Sequence, residues 1–337
     1  MAAISDVSVG WKTEVTYGTG VVVDRWMEFL DESLDYQREI KQGMGLRVGA
    51  GRIPRATRRV SPTKSGSGDL SLELYSKGMG TLLQHAMGTS VSTLVSGTTY
   101  QQNHSLINGL LPSLTIQKGL VMSDGTVAPY TFAGCVVSEF EINVPFQGIA
   151  TMKTKFDIRS VATATGYTAP TYASGGVLFH WGDAAVTIGG TVTAATTTAI
   201  ATGGTAVTNI RDFTLKVNNG IANDRFLMGA GGLKAKPVPG IASATGTITV
   251  EYSDAVMRDA LLADTSLPIV LTITSTEALS TGFSTFQIYL AECRLDGVLP
   301  QANAGKLINT TYAFTVLDNS VATNPVMITT RTADTAL

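Results

Sequence analysis

Side chains that could carry catalysis or bind a metal are few in this sequence and lie far apart. His85, His104 and His180 fall in three separate segments, so they lack the close spacing of a metal centre. Cys135 and Cys293 each lie in an apolar, strand-like run, where a cysteine serves as a small buried hydrophobic residue. We therefore expect no metal site, and we expect both thiols to be buried without forming a disulfide.

The patterns that hold phosphates or activate nucleophiles are also missing. Residues 45–51 (GLRVGAG) are rich in glycine but lack the spacing and the following helix of a dinucleotide-binding turn. No lysine follows a loop of the Walker type, and no serine lies in a nucleophile-elbow sequence. The sequence therefore predicts a protein that is not an enzyme and that binds no cofactor.

Positive charge is concentrated in one glycine-rich segment, residues 41–64, which we call the arm. The arm carries seven basic residues and no acidic residue, so the formal net charge of −2 for the chain leaves −9 for the rest. Pro54, Pro62 and several glycines favour an extended or irregular backbone over a helix. The basic residues are Lys41, Arg47, Arg52, Arg55, Arg58, Arg59 and Lys64.

Three interpretations of the arm are open at this point. Arginine and lysine can neutralise phosphates, but no aromatic residue is interleaved between Lys41 and Lys64 to stack on bases. A run of charges can also be a solvated, disordered loop. We favour an arm that docks on the acidic body of an identical neighbouring chain, because arginine–carboxylate pairs would fix the register.

Most of the chain has the period-two alternation of strands. Apolar and polar residues alternate over residues 70–74, 137–144, 152–158 and 248–252, so one face of each strand should meet a core and the other face solvent or a neighbour. Four acidic residues lie on the polar side of this alternation: Glu73, Glu139, Glu141 and Glu251.

Only two segments show helical periodicity, residues 78–87 and 254–263. Gly88 follows the first where a C-cap glycine belongs, and Asp254 is a suitable N-cap for the second. One short helix per half against antiparallel strands predicts a mainly β, α+β fold of the sandwich type. Residues 183–208, rich in Thr, Ala and Gly, are predicted to form an inserted hairpin, with a flexible linker as the alternative.

The two halves of the chain repeat one order of elements. A Gly and a Glu recur at an offset of 178 residues (positions 68 and 246, 73 and 251), and a Cys and a Phe recur at 158 (positions 135 and 293, 156 and 314). Such blocks in one order indicate a tandem duplication. We therefore predict two domains, residues 1–172 with the arm and residues 173–337 with the hairpin insertion, and two fused copies suggest a subunit of an assembly.

Targeting signals are not evident. The sequence does not open on a basic stretch followed by an apolar run, and no apolar stretch approaches the roughly 18 residues of a membrane helix. We expect a protein that is made and assembled in a reducing cytoplasm and has no membrane segment.

Several segments together resemble the tail tube proteins of long-tailed, non-contractile bacteriophages. They include residues 10–19 (GWKTEVTYGT), the acidic residues near 28–33, the basic arm, and residues 78–85 (GMGTLLQH). In the second half the likeness continues with residues 212–215 (DFTL), 218–220 (NNG) and 223–225 (NDR), then a glycine before a strand and a short helix. The resemblance covers nearly the whole chain in the right order.

The resemblance implies a structural virion protein that is made in the host cytoplasm. Members of the family form a β-sandwich flanked by one helix, and they join side by side into rings around a continuous inner β-barrel. Their rings stack through a long loop into a tube that carries DNA during ejection, and tape-measure, tail terminator and distal tail proteins are the partners. Single-copy members form hexameric rings, so two copies per chain favour a trimeric ring with pseudo-sixfold symmetry, with a ring of six chains as the alternative.

In the terms of this family, the arm matches the loop that stacks rings. We expect contacts between rings from Arg47, Arg52, Arg55, Arg58, Arg59 and Lys64. Because DNA must slide without sticking, we expect a neutral or acidic lumen, with Glu73, Glu139, Glu141 and Glu251 as candidate lining residues. Another virion protein, such as a tail terminator or a capsid decoration protein, and a carbohydrate-binding module or enzyme on a β-sandwich are the alternatives.

Overall fold

The computed structural model of the protein describes residues 6–48, 53–302, 305, 307–335 and 337. This part of the chain contains 24 strands and two α-helices, one in each half, so the predicted mainly β, α+β fold is confirmed. The helices are α1 (Gly80–Met87) and α2 (Val256–Ala263).

Strands occur throughout both halves of the described chain. Those of the first half are β1 (Ser8–Thr13), β2 (Arg25–Trp26), β3 (Asp31–Glu32), β4 (Asp35–Arg38), β5 (Lys41–Gln42), β6 (Arg59–Val60), β7 (Lys64–Glu73), β8 (Gly88–Ser96), β9 (Thr99–Leu106), β10 (Leu114–Val121), β11 (Val127–Val144), β12 (Thr151–Ile158) and β13 (Ser160–Ala162). Those of the second half are β14 (Ala184–Thr193), β15 (Thr202–Val207), β16 (Ile210–Asn218), β17 (Ile221–Ala222), β18 (Val238–Pro239), β19 (Ser243–Glu251), β20 (Ile269–Ala278), β21 (Phe283–Leu290), β22 (Cys293–Asp296), β23 (Asn309–Val316) and β24 (Val326–Thr332).

The larger sheet has 13 strands and runs through both halves. Its main path is β2-β1-β10-β11-β16-β19-β23-β22, and β12, β7, β3 and β4 branch from β11. The branch exists because β11 is 18 residues long. Up to Cys135 it pairs with β10 and β13, and from Val136 onward it pairs with β12 and β16. One long strand therefore connects two groups of strands.

The smaller sheet also joins the halves. Its seven strands run in the order β15-β14-β20-β21-β24-β9-β8, so β9 of the first half pairs with β24 of the second. The Thr-, Ala- and Gly-rich segment forms the hairpin of β14 and β15, and β14 pairs with β20 on its other side. Among the described strands neither sheet closes into a barrel.

The main apolar cluster fills the space between the sheets and under α1. It contains residues from the larger sheet, the smaller sheet and both helices. Leu72 of β7, Ile116 of β10, Leu215 of β16, Ile288 of β21 and Leu83 of α1 are all fully buried in it. Interiors of this kind are close-packed, so the two halves share one continuous core and not two separate ones.

Two glycines at corresponding places permit close strand approach. A Cβ atom on Gly68 would lie 2.5 Å from the Cα atom of Leu34, and one on Gly246 would collide with the Thr214 carbonyl oxygen and the Phe314 ring. β7 and β19 therefore have no side chain at the point where the neighbouring strand approaches.

A buried carboxylate anchors the N-terminal loop. Glu14 is 7 % exposed and accepts four hydrogen bonds, from the Gly18 and Gly134 N–H groups and from the Ser113 and Thr115 hydroxyls, at 2.7–3.0 Å. A buried charge is tolerated when its lone pairs are satisfied in this way. Glu14 therefore links the loop after β1 to β10 and β11.

Both helices lie within the segments predicted for them, but they differ in burial. Gly88 has φ 99° at the end of α1, the left-handed conformation that glycine adopts without strain. Asp254 is not the N-cap that the sequence predicted, because Ala255 holds that position without a side-chain cap; Asp254, one residue earlier, accepts a hydrogen bond from the N–H of Val256. Seven of the eight residues of α1 are buried, whereas only Met257 and Ala260 of α2 are, and Leu262 is 65 % exposed.

The two cysteines are as predicted, because Cys135 and Cys293 are both free and fully buried. Residues 27–30 lie between two short strands that have different partners, since β2 pairs with β1 whereas β3 pairs with β7. Residues 27–30 therefore cross from one strand partner to the other and extend neither ladder.

Two buried histidines make stability depend on pH. Burial lowers the pKa of His85 to about 4 and that of His104 to about 3. His85 Nδ1 lies 2.7 Å from the Thr81 carbonyl oxygen, and His104 Nδ1 bonds to the Ser90 hydroxyl. The unfolded chain takes up protons below pH 6.5 that the folded chain cannot bind, so stability rises with pH in this range.

We expect the free energy of unfolding of the unassembled chain to fall between pH 6.5 and pH 5 by about 2 kcal/mol for each buried histidine. Urea unfolding at both pH values measures this. H85Q should remove about half of the pH dependence, because His104 alone would then supply it. Equal slopes for H85Q and the unmodified chain would contradict the assignment.

Candidate assembly surfaces

The four acidic residues singled out in the sequence lie on one face of the larger sheet. Glu139 pairs with Lys155 and Asn218, and Glu141 pairs with Lys153 and Lys216 on the strands to either side. The same registers carry Glu73 of β7 and Glu251 of β19 onto this face. The opposite face of these strands is buried in the core. We call the outward side the polar face.

The polar face also carries bases that the sequence reasoning did not single out. Lys153 pairs with Asp69 at 2.9 Å and Lys216 with Glu139 at 2.9 Å. These hydrogen bonds raise the pKa of both lysines. The sequence could have predicted these lysines on the polar face, because Lys153 and Lys155 occupy the polar positions of the period-two alternation in β12.

The charges of this face nearly balance. Six acids and four bases of β7, β12, β11, β16 and β19 lie on this face, leaving out Lys64 at the root of the arm and Asp157, which Lys234 covers, so their sum is −2. They are Asp69, Glu73, Glu139, Glu141, Asp212 and Glu251, with Lys153, Lys155, Arg211 and Lys216. The face is therefore slightly acidic.

Hydroxyl groups replace charges on the second-half part of the polar face. Thr245 and Thr247 of β19 are exposed and pair with Thr315 and Ala313 of β23. Thr249 and Thr311 are neighbours whose hydroxyls hydrogen-bond at 2.9 Å. The middle of β19 and β23 thus presents neutral side chains, whereas β16 and the end of β19 keep charged residues.

The arm projects from the body as a hairpin whose root is β5 paired with β6. Arg47, Arg58 and Arg59 are exposed and Arg55 is half-buried. These four arginines form no salt bridge with any acidic residue of the described chain. Arg52 lies outside the described residues.

Lys64 lies at the root of the arm and not at its tip. It is the first residue of β7, and its N–H donates to the Gly232 carbonyl oxygen at 2.9 Å. Glu39 closes the other side of the root, accepting a hydrogen bond from the Thr63 hydroxyl and pairing with Lys41 at 2.5 Å.

The arm also exposes large apolar side chains, which the sequence reasoning missed by attending to charge. Met44, Leu46, Val48 and Ile53 are 72, 102, 98 and 83 % exposed. Large apolar side chains clustered on a surface mark an interaction site more often than isolated ones do. The sequence could have predicted such a site, because these apolar residues lie between the basic residues of the arm.

The junction between the halves is formed by strands and by buried polar contacts. The C-terminal part of β11 pairs with β16 over six residue pairs. Lys234 forms an ion pair with Asp157, whose side chain is 3 % exposed. Burial raises the pKa of Asp157, and the Lys234 ammonium opposes that rise. The segment 219–242, which contains Lys234, thus packs on the first half.

In the described part of the chain, the edge strands of both sheets have no second strand partner. In the larger sheet β22 pairs there only with β23, and β3 and β4 pair only with β7. In the smaller sheet β15 and β8 are the end strands. Exposed edges of this kind are templates for pairing with another chain.

Other kinds of site find no support in the described residues. They bring together no group of three or more His, Cys, Asp or Glu side chains that could hold a metal. In the described part of the chain, no helix combines the length and the apolar character needed to cross a bilayer.

A family model described as phage tail tube protein matches residues 4–316. A search of curated proteins finds no match.

Proposed function

This chain belongs to the phage tail tube protein family, and we propose that it polymerises into stacked rings that form the tail tube, the conduit for DNA ejection into the host. The observation that carries the proposal is the β11–β16 junction, where two groups of four strands join edge to edge in one sheet. A subunit that already joins two such groups needs only to repeat that contact to build a ring.

The proposal includes two copies of one fold, residues 1–172 and 173–337. In the first, strands run β4-β7-β12-β11 across the sheet, and in the second β16-β19-β23-β22. β7 and β19 each follow an arm and precede a helix, and Gly68 and Gly246 meet the neighbouring strand in both. Matching strand order and matching close approaches support equal roles in the ring.

A ring of three chains gives the assembly six copies. Each chain supplies eight strands along this path, so three chains supply 24 to a closed inner barrel. Closure of the barrel would remove the free edges that otherwise promote aggregation. A ring of six chains, with one copy outside the barrel, is the competing arrangement.

The virion tail is the proposed location, after synthesis in the host cytoplasm. Tape-measure protein and DNA would occupy the lumen, and tail terminator and distal tail proteins would close the two ends. The fold carries a structural role without requiring a catalytic site.

Cryo-electron microscopy of purified, assembled protein tests the symmetry. We expect stacked rings of three chains with pseudo-sixfold density around a central channel. Six identical chains around the lumen would overturn the trimeric ring, and compact particles without a channel would favour a terminator or decoration protein.

The arm is proposed to hold adjacent rings together. Its unpaired arginines would meet acidic residues of the next ring, and Met44, Leu46, Val48 and Ile53 would lose their exposed surface there.

Replacing residues 43–58 with Asn-Gly leaves Gln42 and Arg59 closing a two-residue hairpin, so the body should still fold. We expect this variant to form single rings but no tubes in electron micrographs. A matched variant that reverses Arg47 and Arg58 to Glu should weaken tubes less than the deletion. Tubes of normal length from the deletion would show that the arm does not stack the rings.

The polar face is proposed to line the lumen. A wall that neutralised phosphates would bind DNA by releasing counterions, whereas the −2 sum of charges and the threonines of β19 and β23 would not. Glu73, Glu139, Glu141 and Glu251 would then repel the DNA backbone.

The pair T247K and T311K places lysines on the polar face, and the pair T202K and T205K places them on exposed positions of β15. With preassembled open tubes, we expect salt-sensitive binding of short duplex DNA to the first pair only, measured by fluorescence anisotropy. Tight binding by the unmodified tubes, or equal binding by both variants, would remove the polar face from the lumen.

A further inference from the structure

The junction inside the chain provides a pattern for the junction between chains. Where β11 meets β16, Asn219 is 3 % exposed and makes three contacts across the boundary. Its N–H donates to the Ser138 carbonyl oxygen at 2.9 Å. Its side-chain amide donates to the carbonyl oxygens of Ala86, in the last turn of α1, and of Val137, at 3.0 and 3.1 Å. Asn219 therefore fastens β16 to both β11 and α1.

The free β3–β4 edge corresponds to β16. Lys216 is opposite Thr245 in the second half, and Asp35 is opposite Ser67 in the first half. Thr245 and Ser67 are related by the 178-residue offset of β19 and β7, so residues 31–38 correspond to residues 212–219. In this correspondence Arg38 takes the place of Asn219.

The free β22 edge corresponds to the C-terminal part of β11. Leu295 is opposite Phe314 in the second half, as Val137 is opposite Phe156 in the first. Both pairs are related by the same 158-residue offset. The edge of β11 that receives β16 thus has its counterpart in β22 and in the residues that follow it.

The β3–β4 edge has backbone donors on its outer side that pair with no strand of the described chain. The N–H groups of Ser33 and Glu39 donate inward to Asp69 and Thr63, so the alternate residues point outward. Outward N–H groups of Leu34 and Tyr36 are occupied only by the side chains of Glu32 and Asp35, at 3.0 and 2.7 Å. The same alternation holds in β16, because the Asn219 N–H, at the position that corresponds to Arg38, points towards β11.

The β22 edge carries negative charge that would complement Arg38, and it exposes apolar side chains. Asp264, which follows α2, has a side chain that is 79 % exposed, and with Glu292 it outweighs the single Arg294 beside them. Leu262 of α2 and Val298 after β22 are 65 and 64 % exposed. The corresponding helix α1, which lies at the internal junction, is almost wholly buried.

We propose that the β3–β4 edge of one chain pairs with the β22 edge of a second copy of the chain, with Arg38 seated on the C-terminal end of α2 beside Asp264. This rests on the proposed ring assembly and adds the residues that form its closing contact. A guanidinium there meets both a carboxylate and the negative end of the helix dipole, whereas Asn219 offers only a neutral amide to α1. Because Arg38 stands where the internal junction has Asn219, the contact between chains should depend on salt, whereas the internal junction should not.

A charge exchange tests the pair. Each of R38E and D264R should reduce the fraction of chains in rings by at least about tenfold at 0.1 M salt, and the double variant R38E/D264R should restore it. Mass photometry measures the fraction. K12E, which reverses a half-buried lysine of β1 that pairs with Asp24 and lies outside the proposed contact, is the control and should keep full ring formation.

A cysteine pair tests the strand register without relying on charge. Phe140 is opposite Val217, so Val298 of one chain should be opposite Tyr36 of the next. Y36C/V298C should form disulfides between chains under oxidation, linking three chains at most, while Q37C/V298C should not because its side chains point to opposite faces. Since the native thiols are buried, only the new ones should react.

The outcomes separate this inference from the proposed function. If the unmodified protein forms no rings under any condition, the ring proposal itself fails. If it forms rings that are unchanged by R38E and D264R and that never cross-link through residues 36 and 298, the chains join by another surface.

Discussion

Edge-to-edge hydrogen bonding of β11 is the constraint on which the rest of the structure depends. This 18-residue strand pairs with β10 and β13 along one part and with β12 and β16 along the other. A strand with unpaired N–H and C=O groups in a buried position would cost several hydrogen bonds, so β16 must lie where it does. Through that contact the second half extends the sheet of the first, and the two halves share one apolar core.

Polar contacts then set the loops around this sheet. Glu14 holds the N-terminal loop against β10 and β11 with four hydrogen bonds, and Lys234 neutralises the buried Asp157 beneath the second-half segment 219–242. Buried charges of this kind contribute little net stability compared with apolar packing, but removing one partner leaves the other uncompensated. They favour one arrangement of the loops over others.

The polar face, the arm and the free sheet edges differ in chemical character, and these differences suit a subunit of a tube. The polar face carries paired charges and threonines, which suit contact with solvent or a passing polyanion. The arm exposes apolar side chains and unpaired arginines, which suit a protein contact. The free edges of β3–β4 and β22 carry backbone donors and acceptors, which suit another strand. Each surface therefore favours a different neighbour.

Local pattern was enough to predict much of this protein. Period-two alternation located the strands around residues 70–74, 137–144, 152–158 and 248–252, and helical spacing located α1 and α2, because both are encoded by residues close in the chain. The same alternation predicted that Glu73, Glu139, Glu141 and Glu251 lie on the polar sides of their strands. The basic arm and the family resemblance were likewise readable from composition and order.

Tertiary structure decided the contacts between distant segments. Pairing of β9 with β24 joins residues more than two hundred positions apart, and no periodicity within either strand specifies its partner. The lysines that neutralise Glu139 and Asp69 lie on other strands, so the near balance of charge on the polar face follows only from register. The deep burial of α1 and the exposure of α2 have the same origin, since α1 lies at the junction of the halves and α2 lies at a free end. Sequence specified the elements, and the hydrogen-bonded edges between them determined which surfaces remain open.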